Sequence, residues 1–167
     1  MSIELIVVLL VVLAAVLFLV LMPAKNLSDM LLQDGEVPLF DEGGVTVVED
    51  VAVGTNARHI RCRVSVTDRR LVISQLPLLG KKFQVIMVLY FSDAKPPEKT
   101  GLEGRVKTGV LDRDAVQPAG DGGKPGVLLR PSGFSAFNRD QTVLEIQTSR
   151  WEALKDAVQG PGVSPGI

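Results

Sequence analysis

The sequence predicts a mainly β domain, a small barrel or sandwich of six to seven strands with a C-terminal capping helix, preceded by one transmembrane α-helix. Three observations support this fold class: an unbroken apolar run near the start, short β-branched segments separated by turn residues, and one amphipathic helical pattern near the end. We expect a transmembrane helix at 3–22, a juxtamembrane linker at 23–35, a β domain at 36–158 and a flexible tail at 159–167.

The composition excludes several functional classes. The chain has 167 residues, and its 18 Lys and Arg against 19 Asp and Glu give a net charge of -1. Nucleic-acid binding depends on an excess of cations, so we expect no nucleic-acid partner. Because the chain has a single cysteine, Cys62, and a single histidine, His59, we expect no disulfide framework, no metal site and no cofactor.

The apolar run covers residues 5–22 and contains no polar side chain. About 20 apolar residues span the hydrocarbon core of a bilayer, so the run predicts a transmembrane helix. A cleaved signal peptide is the alternative, but the start has no basic residue and the run ends without a small-residue cleavage site. Lys25 follows the run, and the positive-inside rule then predicts a single-pass protein of the cell membrane with its C-terminal domain in the cytoplasm.

The β domain is predicted from short β-branched or alternating segments. Candidate strands cover 45–48, 51–53, 59–66, 71–76, 83–91, 104–111, 127–129 and 143–146. The segment 59–66 alternates cleanly and joins 71–76 through a tight polar turn, which indicates a hairpin. Its predicted inward face carries Ile60, Cys62, Val64 and Val66, and its outward face carries His59, Arg61, Arg63 and Ser65.

A helix is predicted at 150–158 after the last strand. Ser149 and Glu152 have the spacing of a capping box, and Trp151, Leu154 and Val158 share one face of the helix. The Gly- and Pro-rich stretch 115–126 reads as a loop.

The order of these elements and the stretch 66–73, Val-Thr-Asp-Arg-Arg-Leu-Val-Ile, resemble the bacterial PH-like and GRAM-like domains of the pleckstrin-homology-like superfold. In those families a strand ends in a Thr-Asp/Asn-x-Arg-Leu turn and returns at once. Residues 32–37 resemble their approach to the first strand, and Trp151 resembles the tryptophan of the closing helix. The resemblance implies a PH-like fold behind a membrane tether.

Charge is sorted along the chain. Residues 26–57 contain seven acids and no base, whereas residues 58–107 contain eleven bases and four acids. If the basic block gathers on one face, it binds anionic lipid headgroups or a partner. Its candidate binding residues are Arg61, Arg63, Arg69, Arg70, Lys81 and Lys82. The favoured alternative is a set of cross-strand ion pairs with the acidic block, which lies close in sequence.

These observations favour a binding or scaffold protein without catalysis. His59 reads as an exposed side chain without a recognisable catalytic partner, and Cys62 as an inert core thiol. We expect an accessory or interaction subunit at the cytoplasmic membrane surface, with the bilayer and another membrane protein or complex as partners. The alternative is an anionic-lipid-sensing module that uses the basic block.

Overall fold

The computed structural model describes residues 7, 8, 10–12, 35–52, 55–78, 81–94, 106–119, 124–133 and 142–160. Most of the predicted transmembrane helix at 3–22, nearly all of the linker at 23–35 and most of the tail at 159–167 lie outside these residues. Among the residues that are described, no helix is both long enough and apolar enough to cross a bilayer.

The described domain is mainly β, as predicted. Its strands are β1 (Pro38–Ala52), β2 (Thr55–Thr67), β3 (Arg70–Gln75), β4 (Gln84–Phe91), β5 (Lys107–Leu111), β6 (Gln117–Pro118), β7 (Gly126–Leu129) and β8 (Leu144–Gln147). A 3₁₀ turn (Arg113–Ala115) follows β5, and one helix, α1 (Trp151–Gln159), follows β8. The eight strands form one curled sheet in the order β5-β4-β3-β2-β1-β8-β7-β6.

Strand β1 organises the sheet because it pairs with strands from both halves of the chain. It runs antiparallel to β2 over its whole length and antiparallel to β8 through Thr46–Glu49. The predicted strand at 45–48 and residues 51–52 of the strand predicted at 51–53 are therefore parts of one strand of 15 residues, while residue 53 lies outside the described residues. Strand β5 pairs in parallel with β4, an arrangement that the sequence did not indicate.

Two contacts join β5 to segments far from it in the sheet order. Val110 on β5 exchanges backbone hydrogen bonds of 2.8 Å with Ser132, which follows β7. Lys107, the first residue of β5, donates to the Glu49 carboxylate on β1. Some backbone N–H and C=O groups at the β5 edge are thereby hydrogen-bonded within the domain. Fewer of them remain to pair with a strand of another chain.

The inward faces of the strands enclose one apolar core. Fully buried members of that core include Val47, Val64, Leu89, Leu129 and Ile146. The helix α1 inserts Leu154 and Val158 into the same core, as its predicted apolar face requires.

The two ends of the curled sheet carry different segments of the chain, and we call them the open end and the helix end. The open end holds the last residue of β1, the first residue of β2, and residues 76–78 and 81–83 between β3 and β4. The helix end holds the β2–β3 turn at Asp68 and Arg69, together with the C-terminal part of α1, whose Val158 carbonyl accepts a hydrogen bond from Arg113.

A bulge in β2 corrects the predicted outward and inward faces. Val45 pairs with Cys62 and Val47 with His59, so β2 has one more residue than β1 in this interval. Arg61 takes up the irregularity with a φ of 58°, which is unusual for a residue other than glycine. The alternation of inward and outward side chains along β2 is interrupted there. Ile60, predicted to face inward, is therefore 47% exposed.

The predicted capping box is not formed. Helix α1 begins at Trp151 with Arg150 at the cap position, and no side chain caps it. Thr148 instead forms a side-chain hydrogen bond just before the helix, because its hydroxyl accepts a hydrogen bond from the Arg150 backbone N–H at 3.0 Å. That hydroxyl also donates to Glu42 at 2.6 Å, which ties the start of the helix to β1.

Gly126 allows β7 to approach β8 closely. A Cβ atom at this position would overlap the backbone carbonyl oxygen of Ile146, whereas a Cβ at Gly43 would meet nothing within 4 Å. We expect Gly126→Ala to lower the free energy of unfolding by about 1–3 kcal/mol, the usual cost of overpacking, and Gly43→Ala to change it little. Urea unfolding of the full chain in mild detergent, followed by Trp151 fluorescence, measures both. Equal stability of the two variants would contradict this account of the β7–β8 contact.

Candidate functional site

A buried ion pair fixes the point where the chain enters the sheet. The Arg70 guanidinium donates to both carboxylate oxygens of Glu36 at 2.7 and 2.8 Å, and the two side chains are only 2% and 1% exposed. Thr67 donates its hydroxyl to the same carboxylate at 3.2 Å. Because each charge has a partner, the desolvation cost of burying both is offset.

The β2–β3 turn is built from the Thr-Asp-Arg-Arg stretch and has a structural explanation. The Thr67 hydroxyl accepts the backbone N–H groups of Arg69 and Arg70, at 3.2 and 3.1 Å. The Asp68 carboxylate accepts a hydrogen bond from the Val37 backbone N–H at 2.9 Å, and the Val37 carbonyl accepts one from the Asp68 backbone N–H. Small polar side chains that bond nearby backbone groups are typical of tight turns.

A second ion pair joins β1 and β2 at the surface. Asp41 accepts hydrogen bonds from the Arg63 guanidinium and from the Ser65 hydroxyl. The hydrogen bond from Arg63 is the main reason that the pKa of Asp41 lies below its ordinary value. Arg63 also lies over the Phe83 ring, 5.9 Å from its centroid, so its charge is committed to local packing.

A third cluster lies near the open end and joins three strands. The Glu49 side chain is 5% exposed, and Lys107 on β5 donates to both of its oxygens at 2.6 Å. His59 Nε2 lies 3.4 Å from the same carboxylate. These neighbours, His59 first, lower the pKa of Glu49 despite its burial, which opposes the shift.

The surface of the open end carries cations and aliphatic side chains together. Leu78 is 83% exposed and Ile60 is 47% exposed. Arg61, Lys81 and Lys82 are exposed as well, and none of them forms an ion pair with another residue that the structure describes. We call these residues the rim: Ile60, Arg61, Leu78, Lys81 and Lys82.

The helix end has an open pocket of about 330 Å³. It is lined by Asp68, Arg69, Asp93 and Ala94. Arg113 joins two of the lining residues, because its guanidinium donates hydrogen bonds to the Asp93 carboxylate and to the Asp68 backbone carbonyl. The polar groups around this pocket are thus already engaged with one another.

A smaller pocket of about 210 Å³ lies beside the start of α1. Its lining residues are Gly44, Thr46, Lys124, Pro125, Gln147, Thr148 and Ser149. Within the described part of the chain, the Gln147 side-chain oxygen is the one buried side-chain polar atom without a hydrogen-bond partner.

The six basic residues predicted to bind lipid or a partner do not form one site. Arg61, Lys81 and Lys82 are exposed, and strand register places them at the same end of the sheet, since the Leu76 N–H donates to the Arg61 carbonyl and Gln75 pairs with Gln84. Arg70 is buried against Glu36 and does not reach the surface, which corrects its predicted place among the exposed cations. The other two are held elsewhere: Arg63 by Asp41, and Arg69 at the helix end, 3.9 Å from Asp68.

Sequence reasoning missed the partner of His59. His59 was expected to be simply exposed, yet it borders Glu49, and only the antiparallel register of β1 and β2 could have indicated this. Cys62 is buried in the core as predicted, and burial raises the pKa of its thiol to about 11. A thiol with so high a pKa is a poor nucleophile at neutral pH.

The buried pair should matter far more for folding than the surface pair. Glu36→Gln removes the carboxylate charge that the buried Arg70 guanidinium faces, so we expect a loss of about 3–5 kcal/mol in the free energy of unfolding. Asp41→Asn disrupts a half-exposed pair and should cost about 1 kcal/mol. Urea unfolding followed by Trp151 fluorescence compares them. Similar losses for the two variants would show that burial of the Glu36–Arg70 pair is not what stabilises the turn.

The Glu49 cluster should make stability depend on pH. Because the folded-state pKa of Glu49 lies below its ordinary value of 4.5, the stabilisation from this carboxylate is complete above that value and is lost as the pH falls through the folded-state pKa. We expect wild type to exceed Glu49→Gln in stability at neutral pH, with the difference shrinking as the pH falls below 4.5 and through the lower folded-state pKa of Glu49. Thermal unfolding across this range tests the sign. A difference that grows on acidification would contradict it.

Comparison with known proteins does not identify a family. The chain matches no family model, no curated protein and no solved structure.

Proposed function

We propose that this protein is a membrane-tethered binding or scaffold module. In this proposal a single N-terminal helix anchors a PH-like domain at the cytoplasmic surface of the cell membrane, where it serves as an accessory or interaction subunit. Confinement to the membrane plane raises its effective concentration for other membrane components, so weak contacts suffice. Its partners are the bilayer and another membrane protein or complex.

The observation that carries the tether is an apolar surface that the rest of the described chain leaves uncovered. Val7, Val8, Leu10, Val11 and Val12 are helical, and their exposed fractions range from 53% to 63%. They belong to the uninterrupted apolar run at 5–22, which matches the length needed to span a hydrocarbon core. Exposure of so large an apolar surface to water is unfavourable, whereas contact of the same surface with the hydrocarbon of a bilayer is favourable.

The fold supports the PH-like part of the proposal. Strands β1 to β4 form an antiparallel meander, β8 returns to pair with β1, and α1 closes the chain against the core. The turn from Thr67 to Arg70 has the hydrogen bonds that its sequence requires. Each of these features agrees with the resemblance that the sequence suggested.

The ionisable side chains support binding rather than catalysis. Glu36, Asp41 and Glu49 each accept hydrogen bonds from a base on another strand, so these carboxylates hold strands together. Groups committed in this way contribute to stability and are not poised for proton transfer. The rim differs, because its charged and aliphatic side chains contribute little to the core and are available to a partner.

A second candidate function is the sensing of anionic lipids. The observation that favours it is that Leu78, Lys81 and Lys82 are all exposed and belong to the same connection between β3 and β4. Surfaces that combine cations with aliphatic side chains bind interfaces that combine negative charge with hydrocarbon.

The tether is tested by extraction of the expressed full chain from membranes. We expect it to stay in the membrane pellet through alkaline carbonate washing and to retain its N-terminal residues. Val8→Lys with Val12→Lys places two charges in the apolar run, at about 2.5–3.5 kcal/mol each near a bilayer centre, and should release the protein. Val37→Lys, at an exposed valine on the β domain, is the matched control and should stay in the pellet. A wild-type chain found soluble and shortened at its N-terminus would contradict the tether.

A further inference from the structure

We propose that the small pocket beside the start of α1 binds a free α-amino acid. The ligand's ammonium group donates a hydrogen bond to Gln147 Oε1, and its carboxylate lies against the Lys124 ammonium and the Ser149 hydroxyl. This inference goes beyond the proposed membrane function and does not depend on the tether, because every residue that carries it belongs to the described β domain.

The pocket lies on the outer face of the sheet, where neighbouring strands carry glycines. Gln147 on β8 pairs with Thr46 on β1 and with Gly126 on β7, and the side chains of directly paired residues share one face. Gly126 places no side chain beside Gln147. Gly44, two residues before Thr46, places none on the β1 side, and a Cβ atom there would meet nothing within 4 Å. The missing side chains leave a cavity next to the Gln147 amide.

Gln147 supplies a hydrogen-bond acceptor that the described chain does not use. Its Nε2 donates to Glu145 Oε1 at 2.9 Å, which assigns the nitrogen to that side of the amide. Its Oε1 is buried and has no hydrogen-bond partner among the described residues. Folded proteins rarely keep such an acceptor, because it has lost its water without gaining a partner. Since the Gln147 side chain as a whole is only partly buried, a small turn of the amide presents this oxygen to an N–H donor in the pocket.

Lys124 and Ser149 supply the complementary donors. Both side chains line the pocket and are exposed, and neither is bonded to another residue that the structure describes. The third polar group of this wall is already engaged, since the Thr148 hydroxyl donates to Glu42 and accepts from the Arg150 backbone N–H. An ammonium and a hydroxyl are donors that a carboxylate accepts, and the charged hydrogen bond is the stronger of the two.

The charges around the pocket favour a zwitterion over a simple anion. Glu42 accepts a hydrogen bond from Thr148, and Glu145 accepts one from Gln147, so two carboxylates adjoin lining residues of a pocket that has one lysine, Lys124. These carboxylates repel a doubly charged anion such as inorganic phosphate. A ligand with one ammonium group and one carboxylate finds an opposite charge for each of its ends.

The volume of the pocket limits the ligand to a small molecule. It is about 210 Å³, which is room for about seven waters at about 30 Å³ each. Pockets for drug-sized ligands have about 300–1,000 Å³. A single amino acid therefore matches this pocket in size as well as in charge.

The binding is tested by equilibrium dialysis of the full chain, in mild detergent, against a mixture of the common L-amino acids at millimolar concentration. We expect at least one of them to accumulate on the protein side. Its N-acetyl derivative lacks the ammonium group and its methyl ester lacks the carboxylate. Each derivative should bind at least about tenfold more weakly, which is the effect of losing one charged hydrogen bond.

Two substitutions separate the site from the stability of the fold. Gln147→Met keeps the length of the side chain and removes the acceptor, whereas Lys124→Glu reverses the charge. We expect each to weaken binding at least about tenfold and to leave urea unfolding of the ligand-free protein nearly unchanged, because Lys124 is exposed and the lost acceptor had no partner among the described residues. Lys82→Glu makes the same charge change outside the pocket and should bind as wild type does.

The contrary outcomes are equally specific. The proposal is overturned if wild type retains no amino acid, or if retention survives both Gln147→Met and Lys124→Glu. Equal binding of the N-acetyl derivative overturns the zwitterion, since recognition would then not involve the ammonium group. Equal losses for Lys82→Glu and Lys124→Glu overturn the pocket as the place of binding. None of these results bears on the tether, which is judged separately by carbonate extraction.

Discussion

The pairing of acidic β1 with the basic strands around it is the constraint on which the rest of this structure depends. Glu36, just before β1, meets Arg70 on β3, and within β1 Asp41 meets Arg63 on β2 while Glu49 meets Lys107 on β5. Each contact joins β1, or a residue just before it, to a different strand. Because opposite charges that are partly or wholly removed from water must find one another, the sorted charge of the sequence favours this arrangement of strands.

This internal use of charge determines what remains for function. Once the acids of β1 have neutralised their partners, the cations left on the described surface are no longer a single block. Arg61, Lys81 and Lys82 remain exposed at the open end, and the exposed carboxylates Asp112 and Asp114 remain at the helix end.

Local patterns in the sequence were enough to predict the β class, the β2–β3 hairpin, the long apolar β4 and the closing helix, because alternation and turn chemistry act over a few residues. The burial of Arg70 could not be predicted in this way, since its partner Glu36 is 34 residues away and only the register brings them together. The bulge at Arg61 and the exposure of Ile60 were hidden for the same reason. The favoured alternative for the basic block, cross-strand ion pairs with the acidic block, is confirmed for Arg63 and Arg70 but does not cover the rim.

Hydrogen–deuterium exchange of the full chain in nanodiscs tests most directly whether the cations that do not pair with β1, namely Arg61, Lys81 and Lys82, face the membrane. The account predicts that replacing phosphatidylcholine by discs containing phosphatidylserine slows exchange in the 76–83 connection and around Ile60, while the buried turn at Thr67–Arg70 is unchanged. Protection confined to the helix end, or no dependence on lipid charge anywhere in the β domain, would contradict it.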